Sequence, residues 1–136
     1  MWCHAGFNER LLPKKLEKTM SVPVKPDITF EDLEKIDIRA GTIMQINDVP
    51  RSDKVVQLTV DFGEFTRSIL CGIKQERSDL QAMVGKQALF VVNLAPKKIS
   101  GVVSEGMVFD IGYADGVVPA ALSQPEFPVP NGSRAG

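Results

Sequence analysis

The feature that most constrains the fold is the alternation of apolar and polar residues in short segments bounded by turn-forming residues. In "VVQLTVDFG" (residues 55–63), every second position is apolar, from Val56 to Phe62. A period of two is typical of a half-buried β-strand. Gly63 and Glu64 then predict a tight turn into a second strand, "FTRSILCGI" (residues 65–73), so the two segments together predict a β-hairpin.

A short helix and another strand are predicted before this hairpin. Thr29 is a favourable N-cap residue with Asp32 three positions later, and Phe30 and Leu33 are expected to face inward. The period then changes in "IRAGTIMQINDV" (residues 38–49), where Gly41 allows a bend or a bulge. The alternating positions of this strand are Ile38, Ala40, Thr42, Met44 and Ile46.

The second half of the chain predicts one more helix and two more strands. Ser78 and Gln81 have the spacing of a capping box, and the apolar stripe that follows ends at Gly85. "QALFVVNL" (residues 87–94) is apolar on both faces, so one face is expected to fill the core and the other to meet a partner subunit. "GMVFDIGY" (residues 106–113) is the fifth strand, and the proline-rich tail over residues 123–136 is expected to be extended.

These elements predict an all-β OB-fold: a five-stranded Greek-key barrel with short helices before strand one and between strands three and four. At 136 residues the chain is most simply one domain. Residues 1–26 are interpreted as a flexible N-terminal extension, and residues 27–136 as the OB-fold domain with its extended C-terminal tail. The apolar runs are too short to span a bilayer, so no membrane insertion is expected. We also predict a cytoplasmic location.

Positive charge is local in this sequence. The formal net charge is -1, which argues against a general coat for polyanions. Between residues 65 and 104, however, six basic residues face only two acidic ones, Glu76 and Asp79, which is a local balance of +4. Such segregation is typical of a phosphate-binding face, although ordinary solvated surface residues remain an alternative. The basic residues are Arg67, Lys74, Arg77, Lys86, Lys97 and Lys98.

The segment "NLAPKKISGVVSEGM" (residues 93–107) contains two adjacent lysines and no acid before Glu105. It corresponds to the loop between strands four and five, which contributes to oligonucleotide binding in OB-folds. Pro96 is expected to stiffen the exit of strand four, and Gly101 to let the backbone turn back. Because aromatic residues suited to stacking are scarce, the shape of a folded RNA is a better ligand than a loose single strand.

The sequence offers little support for catalysis. Its one histidine, His4, lies in the extension, and no nucleophile elbow, P-loop or dinucleotide-binding fingerprint occurs. Cys3 and Cys71 are far apart and form no C-x-x-C pair, so neither a metal site nor a redox motif is indicated. We expect a protein without catalytic activity, cofactor or metal, in which Cys71 is a small apolar strand residue.

Several motifs occur in the order found in one known family, and over roughly residues 28–135 the chain resembles the tRNA-binding domain family. This family includes CsaA-type export chaperones, stand-alone bacterial tRNA-binding proteins and domains appended to methionyl- and some tyrosyl-tRNA synthetases. The motifs are "DIRAG" (37–41), "SDK" (52–54), "LTVDFG" (58–63), "CGI" (71–73), "MVGK" (83–86), "VVNLAPKKISGVVSEGM" (91–107) and "VPNG" (129–132).

The resemblance implies a cofactor-free OB-fold, a homodimer and a set of RNA-contacting positions. For Asn93, closing the barrel through bonds to the backbone is an equal alternative, and Arg39 could instead pair with Asp37 or Glu34. By position, the implied RNA-binding residues are Arg39, Lys86, Asn93, Lys97, Lys98, Ser104 and Met107.

Two functions follow from the resemblance. The first is a non-catalytic tRNA-binding protein that recognises folded tRNA through its local basic face and could assist an aminoacyl-tRNA synthetase in trans. The second is a CsaA-type homodimeric chaperone that binds extended peptides of unfolded export precursors. The basic loop favours tRNA, whereas the tail and the scarcity of stacking aromatics leave room for the chaperone.

Overall fold

A computed structural model describes residues 20–136 of the chain. Residues 20–29 are exposed and contain neither helix nor strand. Most of the predicted extension, residues 1–19, lies outside the described residues. Among residues 20–136, no helix is long and apolar enough to cross a membrane.

Within residues 20–136, ten strands, most of them short, and a few helical turns build the domain. Every strand pair is antiparallel. The main sheet has the order β3-β2-β1-β4-β7, with β10 pairing the start of β1. The strands are β1 Ile38–Asp48, β2 Val56–Asp61, β3 Thr66–Cys71, β4 Gln87–Val91, β5 Lys97–Ile99, β6 Val102–Ser104, β7 Met107–Val108, β8 Asp110–Ile111, β9 Ala121–Leu122 and β10 Arg134–Ala135. The helices are α1 Phe30–Glu34 and the 3₁₀ helices Leu80–Met83 and Tyr113–Asp115.

The long strand β1 makes the sheet curl. Its first half pairs with β4 and its second half with β2, and the register shifts between Ile43 and Gln45. The two edges of the curled sheet meet where the segment between β6 and β7 contacts β3. There, the backbone N–H of Glu105 donates to the Ser68 carbonyl at 2.8 Å. The prediction of an OB-fold is confirmed, because these strands form an OB-like barrel with β6 and β7 together in the fifth position.

The core follows the predicted alternation of the hairpin. Val56, Leu58, Val60 and Phe62 of the first hairpin strand are all buried. Phe62 lies at the centre of an aromatic group, 5.6 Å from Phe90 in an edge-on arrangement and 5.2 Å from Phe65 in a stacked one. The predicted turn is also present, since the Phe62 N–H donates to the Phe65 carbonyl at 2.9 Å.

The predicted first helix forms, but it does not bury its apolar residues. The Thr29 hydroxyl accepts from the Asp32 N–H at 3.1 Å, which confirms the N-cap. Phe30 and Leu33 nevertheless remain 73% and 53% exposed. The prediction that they face inward was wrong because α1, a single turn of five residues, precedes the first barrel strand and contributes no residue to the core.

Three other expectations need correction. The alternation of β1 fails at Met44, because the register shift buries Ile43 and turns Met44 outward. The second helix is a 3₁₀ turn without a side-chain N-cap, so Ser78 does not form the predicted capping box. Strand four ends at Val91. On its second face Val91 is buried and Leu89 is half-buried within this chain, so little of that face is free for a partner.

The tail contains no helix and is fastened to the barrel by side chains. The Gln87 side-chain amide donates to the Val129 carbonyl at 2.7 Å and accepts from the Val129 N–H at 3.0 Å. This side chain therefore satisfies both backbone groups of Val129, as a neighbouring strand would. Thr42 and Gln87 also both donate to the Asn131 side-chain oxygen at 2.8 Å. Residues 129–131 are thus held against β1 and β4.

We predict that Gly41→Ala destabilises the barrel. A Cβ at position 41 would lie 2.6 Å from a methyl of Val60 and 2.7 Å from the Phe62 ring, both of which are buried. We expect the free energy of unfolding in urea to fall by about 1–3 kcal/mol. Gly72→Ala is the control, since its new Cβ would meet nothing closer than 3.7 Å. Equal stability of the two variants would contradict the close approach at Gly41.

Candidate nucleic-acid interface

The loop between strands four and five is itself a β-hairpin. β5 and β6 pair with Lys97 opposite Ser104 and Lys98 opposite Val103. Ser100 and Gly101 form the turn, and both have positive φ angles, +50° and +84°. Successive residues of a strand point to opposite faces, so Lys97 and Lys98 project from opposite sides of this ribbon. Both lysines are exposed, and neither has an ion pair or side-chain hydrogen bond to another described residue.

Arg51 adds a third positive charge at the hairpin tip. It lies in the loop that follows β1, and its Nη1 would be 3.3 Å from a Cβ on Gly101. Arg51, Lys97 and Lys98 are called the basic tip below. Arg51 was not among the residues predicted from the sequence. In OB-folds, the loop after strand one and the loop after strand four contribute to the same binding surface, and this arrangement could have indicated it.

Half of the basic residues in the +4 segment support the fold instead. The Arg67 guanidinium lies 4.8 Å from the Phe65 ring centre and donates to the Val92 and Glu105 carbonyls at 3.2 and 3.0 Å. Lys74 donates to the Ser52 carbonyl at 2.6 Å and pairs with Asp48. Arg77 Nη2 donates to the Ala120 carbonyl at 2.6 Å. Of the six basic residues in this segment, Lys86, Lys97 and Lys98 have no such partner among residues 20–136.

Lys86 is separated from the basic tip. It is exposed and immediately precedes β4, where its carbonyl accepts from the Ile43 N–H at 3.0 Å. The hairpin follows the other end of β4, and a strand of five residues spans roughly 17 Å. Met107 lies on the hairpin side, at the start of β7, and is 45% exposed. Met107 therefore lies at the end of β4 that leads into the hairpin, whereas Lys86 lies at the opposite end.

Ser104 has an internal role. It is only 5% exposed, and its hydroxyl accepts from the Leu70 N–H at 3.0 Å and donates to the Gly106 carbonyl at 3.0 Å. Its placement does not support the predicted RNA contact, because the bond from Leu70 ties the hairpin to β3 and both bonds engage the hydroxyl away from solvent.

The polar groups of Asn93 and Arg39 are also engaged within the chain. Asn93 accepts from the Asp37 N–H at 2.9 Å and donates to the Lys35 carbonyl at 2.6 Å. These are bonds to the backbone, as expected if Asn93 has a structural role. Arg39 donates through Nε and Nη2 to the two carboxylate oxygens of Asp37, each at 3.0 Å. This guanidinium lowers the pKa of Asp37 below its usual value, so the pair persists at neutral pH and weakens only as acid protonates Asp37.

Cys71 is not positioned as a nucleophile. Burial raises the pKa of its thiol to about 12, and the neighbouring carboxylates Asp110 and Glu76 add to this shift. The thiol is therefore protonated at neutral pH and unreactive. Within residues 20–136, no group of three or more His, Cys, Asp or Glu residues is arranged to hold a metal ion.

Comparison with known proteins gives the family of the domain. Residues 38–134 match the family described as "Putative tRNA binding domain". Methionine–tRNA ligases from Bacteroides fragilis and Parabacteroides distasonis are both 41% identical to this chain, over 100 and 112 residues. The matches cover 74% and 82% of this chain but only 15% and 16% of the ligases.

Two solved structures are similar over nearly their whole length. A MetRS-related protein from Pyrococcus horikoshii superposes with a TM-score of 0.73 at 32% identity, covering 82% of this chain and 99% of that one. The chaperone CsaA from Bacillus anthracis superposes with a TM-score of 0.68 at 29% identity, covering 82% of this chain and 100% of CsaA.

We predict that Asn93→Ala lowers stability and leaves RNA affinity unchanged. The change removes two hydrogen bonds to the backbone of the segment before β1, and about 1 kcal/mol of stability should be lost because those groups can be rehydrated. Thermal unfolding measures the loss, and binding of tRNA well below the melting temperature measures the affinity. Asn47→Ala is the stability control, since Asn47 is exposed. Full stability with reduced affinity would instead identify Asn93 as an RNA contact.

Proposed function

Because this chain belongs to the tRNA-binding domain family, we propose that it binds folded tRNA through the basic tip and catalyses no reaction. The observation that carries the proposal is the division among the basic residues. Arg67, Lys74 and Arg77 are bonded within the fold, whereas Lys97 and Lys98 are exposed without partners on a hairpin whose turn lies beside Arg51. Unpaired cations at the edge of an OB-fold barrel are suited to phosphate groups.

The arrangement favours shape over sequence in recognition. Lysines act as mobile point charges that neutralise phosphates, and they do not distinguish one base from another. In this proposal, the tip binds the backbone of folded tRNA at sites set by the spacing of its phosphates. A cytoplasmic location follows from such a ligand.

The relatives suggest how tRNA binding is used. The matched ligases carry the similar segment as about one sixth of their length. We infer that this domain supplies tRNA affinity to an aminoacyl-tRNA synthetase, in trans if the two are separate proteins. The synthetase activity itself has no counterpart in the described residues, where the candidate site consists of cations without a nucleophile or general base.

A homodimer is part of the proposal, with its interface moved from strand four to α1. Phe30, Leu33 and Ile36 are exposed and line a groove with Asn93 and Arg134, the last of which lies in the strand that pairs with β1. Charged residues also line the groove, and exposed apolar side chains bordered by polar ones commonly mark a protein interface. We propose that a second copy of the chain covers this groove.

The similarity to CsaA favours a chaperone as the second candidate function. The match covers the whole of that chaperone, and the apolar groove beside α1 could hold an extended peptide from an export precursor instead of a second copy. In that case the ligand binds mainly by burial of apolar surface, and its affinity depends little on salt.

We predict that Lys97→Ala/Lys98→Ala weakens tRNA binding. Each lost phosphate contact should lower the slope of log K against log salt by roughly 1. The single variants are matched in charge and differ in the face of the hairpin that they alter, so they show which side meets the RNA. Lys25→Ala, an exposed site preceding α1, controls for net charge.

The outcomes of this series separate the two functions. Unchanged affinity and slope in the double variant would remove the basic tip from the proposal. Lost tRNA affinity with retained binding of an extended apolar peptide would show that the two ligands use different surfaces.

We also predict that Leu33→Glu dissociates the homodimer. A carboxylate at position 33 would remove an apolar side chain from the interface and would lose its water on dimerisation, which is strongly unfavourable. Light scattering should report twice the mass of one chain for the parent protein and the mass of one chain for the variant. Val24→Glu, which changes an exposed residue outside the groove, should remain dimeric. A parent protein with the mass of one chain would refute the dimer.

A further inference from the structure

A second concavity lies close to the loop that carries Arg51. It has a volume of about 210 Å³ and is formed by the end of β3, the strands β7 and β8, and the segment leading into β9. Its lining includes the buried side chains of Leu70, Ile73, Met83 and Val108. Met107 and Tyr113 lie at its rim, where they are 45% and 61% exposed. The floor of the concavity is therefore apolar, and the exposed ring of Tyr113 forms part of its rim.

Two polar groups of this concavity have unused bonding capacity. The Arg77 Nε is buried and has no hydrogen-bond partner, although Nη2 of the same guanidinium donates to the Ala120 carbonyl. Asp110 Oδ2 accepts from the Tyr113 N–H at 2.9 Å, while Oδ1 of that carboxylate has no bond to another described residue. The lining thus offers one N–H donor and one carboxylate acceptor. An unpaired buried donor is unfavourable and calls for a ligand that can accept from it.

Tyr113 is held in place by its surroundings. It begins a 3₁₀ helix flanked by Gly112 and Gly116, which have φ angles of +101° and +79°. A Cβ on Gly112 would lie 2.6 Å from Val117, so this turn accepts only glycine without rearrangement. The Tyr113 hydroxyl lies 3.7 Å from a Cβ position on Gly72 that is also 4.0 Å from the Lys54 carbonyl. The ring therefore stands beside the loop between β1 and β2, which also contains Arg51.

We propose that this concavity is a subsite for one unpaired nucleobase of the bound RNA, stacked on Tyr113. The inference rests on the proposed tRNA binding and adds a base contact to it. Unstacked bases of RNA loops are typically held between an aromatic side chain and hydrogen bonds to their edges. The concavity has both components, in the Tyr113 ring and in the polar groups of Asp110 and Arg77.

The chemistry favours a base over an apolar peptide side chain. The edge of every nucleobase carries a donor next to an acceptor, which matches the Asp110 carboxylate and the Arg77 N–H. An apolar side chain would fill the floor but leave both groups without partners, which costs binding free energy.

The first test separates stacking from phosphate binding. Tyr113→Ala should weaken tRNA binding about tenfold at fixed salt, as expected for one stacked base, and leave the salt slope unchanged. Tyr113→Phe keeps the ring and should restore affinity to within about twofold. Phe127→Ala removes another exposed ring, in the tail, and is the matched control. Circular dichroism verifies that each variant is folded.

Loss of affinity in Tyr113→Ala alone would support the subsite. Unchanged affinity in this variant, together with the expected effect of Lys98→Ala, would overturn the subsite and leave the proposed function intact. Absence of tRNA binding by the parent protein would instead refute the proposed function.

The second test observes the ring directly and does not depend on tRNA. The chain has one tyrosine, so ¹³C-labelled tyrosine gives ring signals from Tyr113 alone. Addition of AMP, CMP, GMP or UMP at millimolar concentration should shift these signals upfield, because a stacked base shields the ring. Arg77→Ala should reduce the shift. No shift with any of the four nucleotides would overturn the subsite, as would a shift produced only by an apolar peptide.

Discussion

The closure of the barrel beside β3 is the constraint on which the candidate site depends. Four groups make it: the Ser104 hydroxyl, the backbone and the carboxylate of Glu105, and the Arg67 guanidinium. A hairpin of two three-residue strands has too few bonds to be stable alone. Since β6 is bonded to β3, the hairpin acquires a fixed direction, and its turn reaches Arg51. The exposed charges of the hairpin are thus placed by polar contacts with β3, not by the loop itself.

This dependence explains why the basic residues divide into two groups. Arg67 supplies several N–H donors in a fixed plane, and it satisfies two carbonyls where β3 meets the residues that follow β4 and β6. The lysines of the hairpin have no comparable bonds among the described residues and remain hydrated. A positive balance in the sequence therefore overstates the charge available to a ligand, because it counts side chains whose donors are already used.

Much of the fold could be predicted because each barrel strand has one buried face. The alternation from Val56 to Phe62 predicts both a strand and its inward residues, and the N-cap at Thr29 predicts where α1 begins. Periodicity is local, however, and does not say what an apolar face packs against. This is why Phe30 and Leu33 were expected inside, and why the register shift that exposes Met44 was not located.

The candidate site was predicted only in part for the same physical reason. Lys97 and Lys98 are recognisable from a short window, whereas Arg51 joins them through a contact between distant segments. Ser104 has a small polar side chain that suits either solvent or a buried bond, and only the position of β3 decides between them. The sequence does not predict the exposure of Tyr113, because that exposure depends on the turn between β8 and β9.

The opposite directions of Lys97 and Lys98 give the hairpin two charged sides instead of one. A ribbon with a cation on each side is suited to lie between two phosphate chains rather than along a single chain. Its contacts then depend on the width of the gap between those chains. In the proposed complex with tRNA, the hairpin would thus respond to the separation of two backbone chains, which is a property that tRNAs of different sequence share.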